Sequence, residues 1–212
     1  MLTEKVIAIT GAGRGIGAAI ARLCAREGAR VIVNDLGVSP DGQGGDASTA
    51  EELVSAIKAD GGEAISNHAS VSDPAGAASL ISDAVRHFGR IDAVVNNAGF
   101  LRDGIFHKMS LADWNAVLDV HLTGCFLTAR AAAPHFREQG SGALIHFTST
   151  TGLIGNVGQA NYGAAKAGVV GLSTAIALDM QRYGVRTNCI APTAWTRLVD
   201  SVPFNSANRD RA

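Results

Sequence analysis

The stretch from Lys5 to Asp35 constrains the fold more than any other part of the chain. Lys5-Val6-Ile7-Ala8-Ile9-Thr10 is a short apolar run of strand type. It enters Gly11-Ala12-Gly13-Arg14-Gly15-Ile16-Gly17 with no intervening loop. Ile16, Ile20, Leu23 and Cys24 then recur at helix spacing. Strand, glycine-rich turn and helix in that order aim backbone N–H groups and a helix N-terminus at one point, where a pyrophosphate fits. The glycines allow the tight turn and the close approach. A second strand-like run, Ala29 to Asp35, ends in a carboxylate. Its distance from the turn suits the acid that binds adenosine ribose hydroxyls. The turn alone could be a structural feature of any α/β protein. With the strand, the helix and the acid, Gly11, Arg14, Gly15, Ile16, Gly17 and Asp35 read as a dinucleotide site.

The rest of the chain keeps alternating strand and helix. Ala47 to Asp60 carries Leu53, Val54 and Ile57 on one face and is stopped by Gly61-Gly62. Glu63 to His68 is a third strand. Asp73-Pro74 starts a helix, with Asp73 as N-cap and Pro74 at N1. Ile91 to Val95 is the fourth strand. Leu111 to Glu138 contains a long helix started by Ser110 and interrupted near Pro134. Ala143 to Phe147, a helix over Tyr162 to Tyr183, and Val185 to Ile190 follow. Near-continuous apolar strands separated by helices mean a parallel sheet covered on both faces. The expected fold is a doubly wound α/β Rossmann sheet in the order 3-2-1-4-5-6, in one domain over residues 1–212. The glycine-rich loop Gly37 to Gly45 reads as a surface turn in preference to a rim of the adenosine site.

The second candidate site is Asn161-Tyr162-Gly163-Ala164-Ala165-Lys166, preceded by Ser149. Lys166 follows Tyr162 at i+4, so phenol and ammonium share a helix face. A nearby ammonium favours phenolate and lowers the tyrosine pKa toward neutrality, which makes a usable proton donor and acceptor. A serine hydroxyl brought from a strand end could hold a carbonyl or alcohol oxygen beside it. Any helix can carry Tyr-x-x-x-Lys by chance, and Tyr162 could equally be packed with its hydroxyl satisfied.

Composition narrows the partners. A chain of 212 residues with 47% hydrophobic content can bury one core. A net charge of −1 with mixed signs gives no reason to expect nucleic acid or an anionic membrane. No apolar run reaches the length of a membrane span, and Met1 leads straight into the first strand without a signal peptide, so a cytoplasmic location is expected. Cys24, Cys125 and Cys189 are far apart in apolar patterns. They read as packing residues of a reducing compartment, with no metal site expected. From Gly163 to Met180 few side chains are polar, so the sheet covers one face and the other needs a cover; a second copy of the chain is expected there, as a homodimer or homotetramer, with a further C-terminal segment as the competing cover.

Together these residues resemble the short-chain dehydrogenase/reductase family. Thr10 to Gly17 matches its Thr-Gly-x-x-x-Gly-x-Gly turn, Asn96-Asn97-Ala98-Gly99 its segment after the fourth strand, and Ser149, Tyr162 and Lys166 its catalytic serine, tyrosine and lysine. The likeness runs from about Thr3 to Val202. Within the family the text is most similar to the (3R)-hydroxyacyl-CoA dehydrogenase part of the β-oxidation multifunctional enzyme. That match lies in Val33 to Gly37, Asn97 to Asp103, Val120-His121-Leu122, Gly155 to Tyr162 and Ile190 to Ala194. The resemblance implies a nicotinamide dinucleotide bound also by Ser70, Val71, Asn97, Ala98, Gly99, Tyr162, Lys166 and Pro192. It implies a small-molecule or acyl-CoA substrate, and pairing of subunits through the helices that carry Leu122 and Tyr162. Asp35 argues for NAD over NADP, because its carboxylate accepts both ribose hydroxyls and repels a 2′-phosphate. Arg14 could pair with that phosphate or be a solvated turn residue.

Several positions depart from the family. His121 stands where an asparagine usually completes the catalytic set; it could keep that role, join a proton relay, or simply pack. Thr193 replaces a glycine. Ala69-Ser70-Val71 lacks the usual aspartate, so Ser70 or the backbone would contact the adenine. Family members continue past the sixth strand into a substrate loop, a helix and a seventh strand. The text from Asp200 to Ala212 carries no periodic pattern. A longer natural protein, of which this chain is a C-terminally incomplete part, is the expectation.

Overall fold

The computed structural model describes residues 1–194. Six strands form one parallel sheet in the order β3-β2-β1-β4-β5-β6. They are β1 (Val6–Thr10), β2 (Arg30–Asn34), β3 (Glu63–Asn67), β4 (Ala93–Asn96), β5 (Gly142–Phe147) and β6 (Val185–Ile190). Ile7 pairs with Val31 and Ala93, and Phe147 with Ile190, so the carboxyl ends of all six strands lie at one edge. Alternate residues on each strand serve opposite faces. Ile7, Ile9, Val31 and Val33 pack with Leu53, Val54 and Ile57 of α2 (Ser48–Ala59) and Ala21 and Cys24 of α1 (Gly15–Arg26). Val6, Ala8, Ile32, Val94 and Leu144 pack with Leu80, Ile81 and Ala84 of α3 (Pro74–Phe88), and with Ala129, Ala132 and Phe136 of α5 (Gly124–Gln139). Burial on both faces is why the strands read as unbroken apolar runs.

The caps follow the sequence. Asp73 accepts a hydrogen bond from Gly76 N–H at 2.8 Å, Pro74 is the first residue of α3, and Gly89 ends it in the left-handed conformation. Ser110 accepts from Asp113 N–H at 3.0 Å and starts α4 (Leu111–Leu118).

The long helix departs from expectation. Pro134 does not interrupt it and lies inside α5. Pro134 and Arg130 are both exposed, so water can take the carbonyl that the proline leaves unpaired. The irregularity comes earlier, as a π-helical turn over Asp119–Thr123 between α4 and α5, the kind of bulge that re-aims side chains at functional sites. A short helix unseen in the sequence, α6 (Thr150–Ile154), follows β5, and the helix that carries Tyr162 and Lys166, α7 (Ala160–Met180), begins earlier than Tyr162. The loop after β2 also differs from the surface turn expected. Pro40 carbonyl accepts from Leu101 N–H at 3.1 Å and Asp41 carbonyl from Arg102 Nε at 3.0 Å, which strap the loop across the carboxyl edge. No helix among the described residues is long and apolar enough to cross a membrane. The expected absence of a seventh strand concerns residues beyond Ala194, outside the described part.

Candidate active site

The turn after β1 is built from behind. Thr10 Oγ1 accepts from Asn97 and Ala98 N–H, both at 3.0 Å, and Asn97 Nδ2 donates to the Thr10 and Gly11 carbonyls at 3.1 and 2.9 Å. The segment after β4 therefore fixes the shape of the turn. A Cβ on Gly17 would stand 2.3 Å from Gly11 carbonyl oxygen, so only glycine lets α1 start this close to the strand. α1 starts at Gly15 with no side-chain cap, leaving its first N–H groups turned toward the space in front of it.

That space is a cavity of about 640 Å³. Gly11, Arg14, Gly15, Ile16, Asp35, Ser70, Val71, Asn97, Ala98 and Gly99 all line it, as the sequence predicts. Val38, Ser39, Pro40 and Gly42 of the strapped loop line it too, so the loop is a rim after all. Gly17 supports the turn from outside the lining. Asp35 Oδ2 accepts from Gly13 N–H at 2.8 Å and Oδ1 from Gly37 N–H at 2.7 Å, which aims the carboxylate along the cavity wall. Arg14 donates to Thr49 Oγ1 at 2.9 Å and so leans on α2. These residues fit a dinucleotide: uncapped helix N–H groups, a close glycine turn and a fixed carboxylate at the far end.

Ser149, Tyr162, Lys166 and Pro192 do not line this cavity. They lie at the same carboxyl edge of the sheet, beyond β5 and β6. Ser149 caps α6, its Oγ accepting from Thr151 N–H at 3.2 Å. Asn161, fully buried, donates to the Arg102 and Asp113 carbonyls at 2.9 and 3.3 Å and accepts from Tyr162 N–H at 2.8 Å. This pins the start of α7, and with it the tyrosine. Tyr162 stands edge-on to His121, with ring centroids 5.1 Å apart.

The electrostatics correct one sequence expectation. Lys166 does not draw the Tyr162 pKa down. Burial pushes the phenol above its ordinary value, a hydrogen bond with Ser149 opposes this, and the Asp103 carboxylate adds to the rise. Lys166 Nζ is 5.6 Å from the tyrosine ring centroid and donates to Phe147 carbonyl at 2.5 Å. Burial lowers its own pKa to about 8. Phenol and ammonium share a helix face, and the ammonium meets the ring, while its hydrogen bond goes to Phe147 carbonyl and not to the hydroxyl.

His121 is buried in the π-helical turn. Its Nε2 faces the backbone of Phe100, 2.8 Å from the carbonyl oxygen and 3.2 Å from the N–H, and Nδ1 has no hydrogen-bond partner among the described residues. Burial, then the charge of Lys166, lowers its pKa to about 3. The imidazole is neutral at ordinary pH, and one of its nitrogens is committed to backbone. A Cβ on Gly99 would come within 2.0 Å of the ring, so that glycine admits the imidazole.

Sequence reasoning missed a set of polar side chains behind these residues. Gln159 Nε2 donates to both oxygens of Asp103, at 3.2 and 3.0 Å. Asn96 Oδ1 accepts from Thr128 at 2.7 Å, and Asn96 Nδ2 lies 3.2 Å from His146 Nδ1. Asp103, Gln159 and Asn96 carry no periodic signal, and only the local text around the matched motifs marks them.

Comparison with known proteins identifies the family. A family model described as short chain dehydrogenase matches residues 5–202. A Mycobacterium tuberculosis protein named as a short-chain type dehydrogenase/reductase is 50% identical over 94% of this chain and 70% of its own length. The peroxisomal hydratase-dehydrogenase-epimerase of Neurospora crassa is 44% identical over 93% of this chain. The chain spans only 22% of that enzyme. The crystal structure of a short chain dehydrogenase from Mycobacterium avium superposes with a TM-score of 0.85 at 46% identity, covering 95% of this chain and 71% of that one.

Proposed function

Because the chain belongs to the short-chain dehydrogenase family, we propose that it interconverts a secondary alcohol and a ketone with NAD, and that the substrate is a (3R)-3-hydroxyacyl-CoA or its 3-keto form. The observation that carries the reading is a cavity lined by the glycine turn, Asp35 and Phe100, with Tyr162 packed on the His121 that bonds to Phe100. The dinucleotide supplies or accepts the hydride. Gly11, Gly15, Ile16 and Ala98 face its phosphates, Asp35 its adenosine ribose, and Lys166 is, among the described residues, the buried cation available to the nicotinamide side.

Ser149 holds the substrate oxygen and Tyr162 exchanges its proton. With its pKa raised, Tyr162 is protonated at neutral pH, which is the donor form that ketone reduction needs. Alcohol oxidation needs the phenolate, and that form is favoured when Lys166 is drawn from Phe147 carbonyl toward the tyrosine. In this reading His121 is a neutral positioning group that braces Tyr162 and Phe100, and Pro192 and Val71 complete the walls.

Further observations support the finer parts. Asp35 faces the cavity while Arg14 is tied to Thr49, which suits NAD better than a 2′-phosphate. Exposed Phe106, Leu153, Ile154 and Val157 flank the mouth, where Gly104 N–H donates to Gly158 carbonyl at 2.8 Å; such a patch suits an acyl chain. α7 exposes Ala164, Ala167, Gly171, Ala175 and Leu178 on one side, a flat face that fits a second copy in a homodimer or homotetramer. A cytoplasmic location belongs to the same reading, and free Cys24, Cys125 and Cys189 suit a reducing compartment. The test is a panel of hydroxyacyl-CoA, hydroxyacyl-carrier-protein and simple alcohols with NAD and NADP. Preference for the CoA thioester with NAD is expected; preference for another class assigns the protein to that substrate instead.

A further inference from the structure

The loop after β2 holds its own shape. Ser39 N–H donates to Gln43 carbonyl at 2.9 Å, and Ser39 Oγ accepts from Gln43 N–H at 3.0 Å. Gly42 N–H closes back on Ser39 carbonyl at 2.9 Å. A turn closed on itself in this way moves as one piece when its outside ties are cut. Those ties are few. Among the described residues, the hydrogen bonds that join 38–45 to another segment run from Leu101 N–H to Pro40 carbonyl, at 3.1 Å, and from Arg102 Nε to Asp41 carbonyl, at 3.0 Å. A ring seals the same seam. Phe100 is buried and lines the dinucleotide cavity. Gly42 lies so close to it that a Cβ would stand 2.8 Å from its Cδ1 and Cε1, at a φ of +81°. The Arg102 guanidinium sits 5.4 Å from the centroid of that ring. Open space lies on both sides of the seam. Pro40 and Arg102 line the dinucleotide cavity, and with Asp41 and Leu101 they also line a second cavity of about 530 Å³. A loop with open volume on its outer side can swing without disturbing the core.

We propose that Arg102 is a positioning residue for the dinucleotide: it clamps the loop after β2 over the cavity and sets how slowly the dinucleotide leaves. This rests on the dehydrogenase reading above and goes one step past it. Val38, Ser39, Pro40 and Gly42 form the wall that the clamp holds shut. Opening that wall breaks a charge-assisted hydrogen bond to Asp41 carbonyl and parts Gly42 from Phe100, the ring on which the guanidinium rests. The anchor is the fixed side. Asn161 Nδ2 holds the Arg102 carbonyl at 2.9 Å, and Phe100 packs in one cluster with Val117, Ala165 and Tyr162. The anchor therefore stands on α4 and α7, and the loop is the part that moves. The ion pair of Arg102 with Asp113, at 3.6 Å and partly exposed, is a weaker tie.

Stopped-flow displacement of bound NADH, followed by its fluorescence, reads the release rate. Arg102→Gln should release NADH about fivefold or more faster than wild type, with the association rate changed less. Gly42→Ala opens the same seam from the loop side, through the ring contact and the left-handed backbone, and should also speed release. The double variant should gain less than the product of the two single effects, because both act on one closure. Asp113→Asn removes the ion pair and keeps the bond to Asp41 carbonyl, so its release rate should stay near wild type. Hydrogen exchange without dinucleotide is the second readout: residues 37–46 and the Leu101 amide should exchange faster in Arg102→Gln, and residues 160–180 should not. If Arg102→Gln does not fold, Gly42→Ala carries the test, since that change is confined to the loop. Unchanged release in the variants of the seam overturns the proposal. Equal acceleration in Asp113→Asn also overturns it, because that would mark a general loosening of α4. Faster release with no turnover on any substrate would uphold the inference and sink the dehydrogenase reading, whereas a wild type that binds neither NADH nor NADPH sinks both.

Discussion

Replacing Lys166 by methionine should make the protein without dinucleotide more stable, although it removes a group proposed to serve catalysis. Lys166 is buried, and its pKa falls from 10.5 to about 8 because burial penalises the charge. A lysine with a depressed folded pKa destabilises the fold fully below that value. The penalty fades as pH rises toward the unfolded value, because there the unfolded chain binds the extra proton. The difference corresponds to about 3 kcal/mol near neutral pH. Methionine fills similar volume without the charge but leaves Phe147 carbonyl without its donor, which costs about 1–2 kcal/mol. The net gain should be about 1–2 kcal/mol at about pH 7, or roughly 2–6 °C in Tm. The sharper expectation is the pH dependence. The stability gap between mutant and wild type should be about 1 kcal/mol narrower at about pH 9 than at about pH 7. Denaturant unfolding of both proteins at the two pH values measures it. A gap that does not change with pH would refute the claim that a buried, charged Lys166 strains the fold. So would a mutant that is less stable at both.

Two other outcomes follow from the site and the surface. Asp35→Ala should weaken NAD binding by about tenfold or more and improve tolerance of NADP, since it removes a fixed carboxylate from the cavity wall; fluorescence titration of both reduced cofactors checks it, and a wild type that already prefers NADP contradicts it. Light scattering over a dilution series should show a dimer or tetramer, and a particle that stays at the 21.8 kDa chain mass at high concentration removes α7 as an interface.

The fold was legible because its signals are local and repeated. Val31, Ile32 and Val33 read as a strand buried on both faces, and Asp73-Pro74 wrote the start of α3 into the text. The glycine turn was legible for the same reason, since Gly17 has no room for any side chain. What the sequence hid depends on contacts between distant segments. Pro134 looked like a helix breaker, but its exposure makes the lost bond tolerable, while the π turn around His121 has no breaker residue at all. The loop after β2 looked free because its anchors, Leu101 and Arg102, come from another part of the chain. The spacing of Tyr162 and Lys166 gave a shared face correctly. How the two groups interact depends also on Phe147 carbonyl, which takes the ammonium's hydrogen bond while the ammonium stays over the tyrosine ring. Asp103 and Gln159 form their pair across the mouth, and nothing in either local sequence announces it.

The central claim is that Tyr162 carries the proton of a dinucleotide-dependent alcohol–ketone reaction. Steady-state turnover of wild type and Tyr162→Phe on the best substrate of the panel, with dinucleotide affinity measured on the same samples, tests it most directly. The account predicts that the mutant loses turnover by at least about 100-fold while binding the dinucleotide nearly as well as wild type, because the ring that packs on His121 is kept and only the hydroxyl is lost. A mutant that retains substantial turnover with an unchanged pH profile would place the proton transfer on another group and contradict the account.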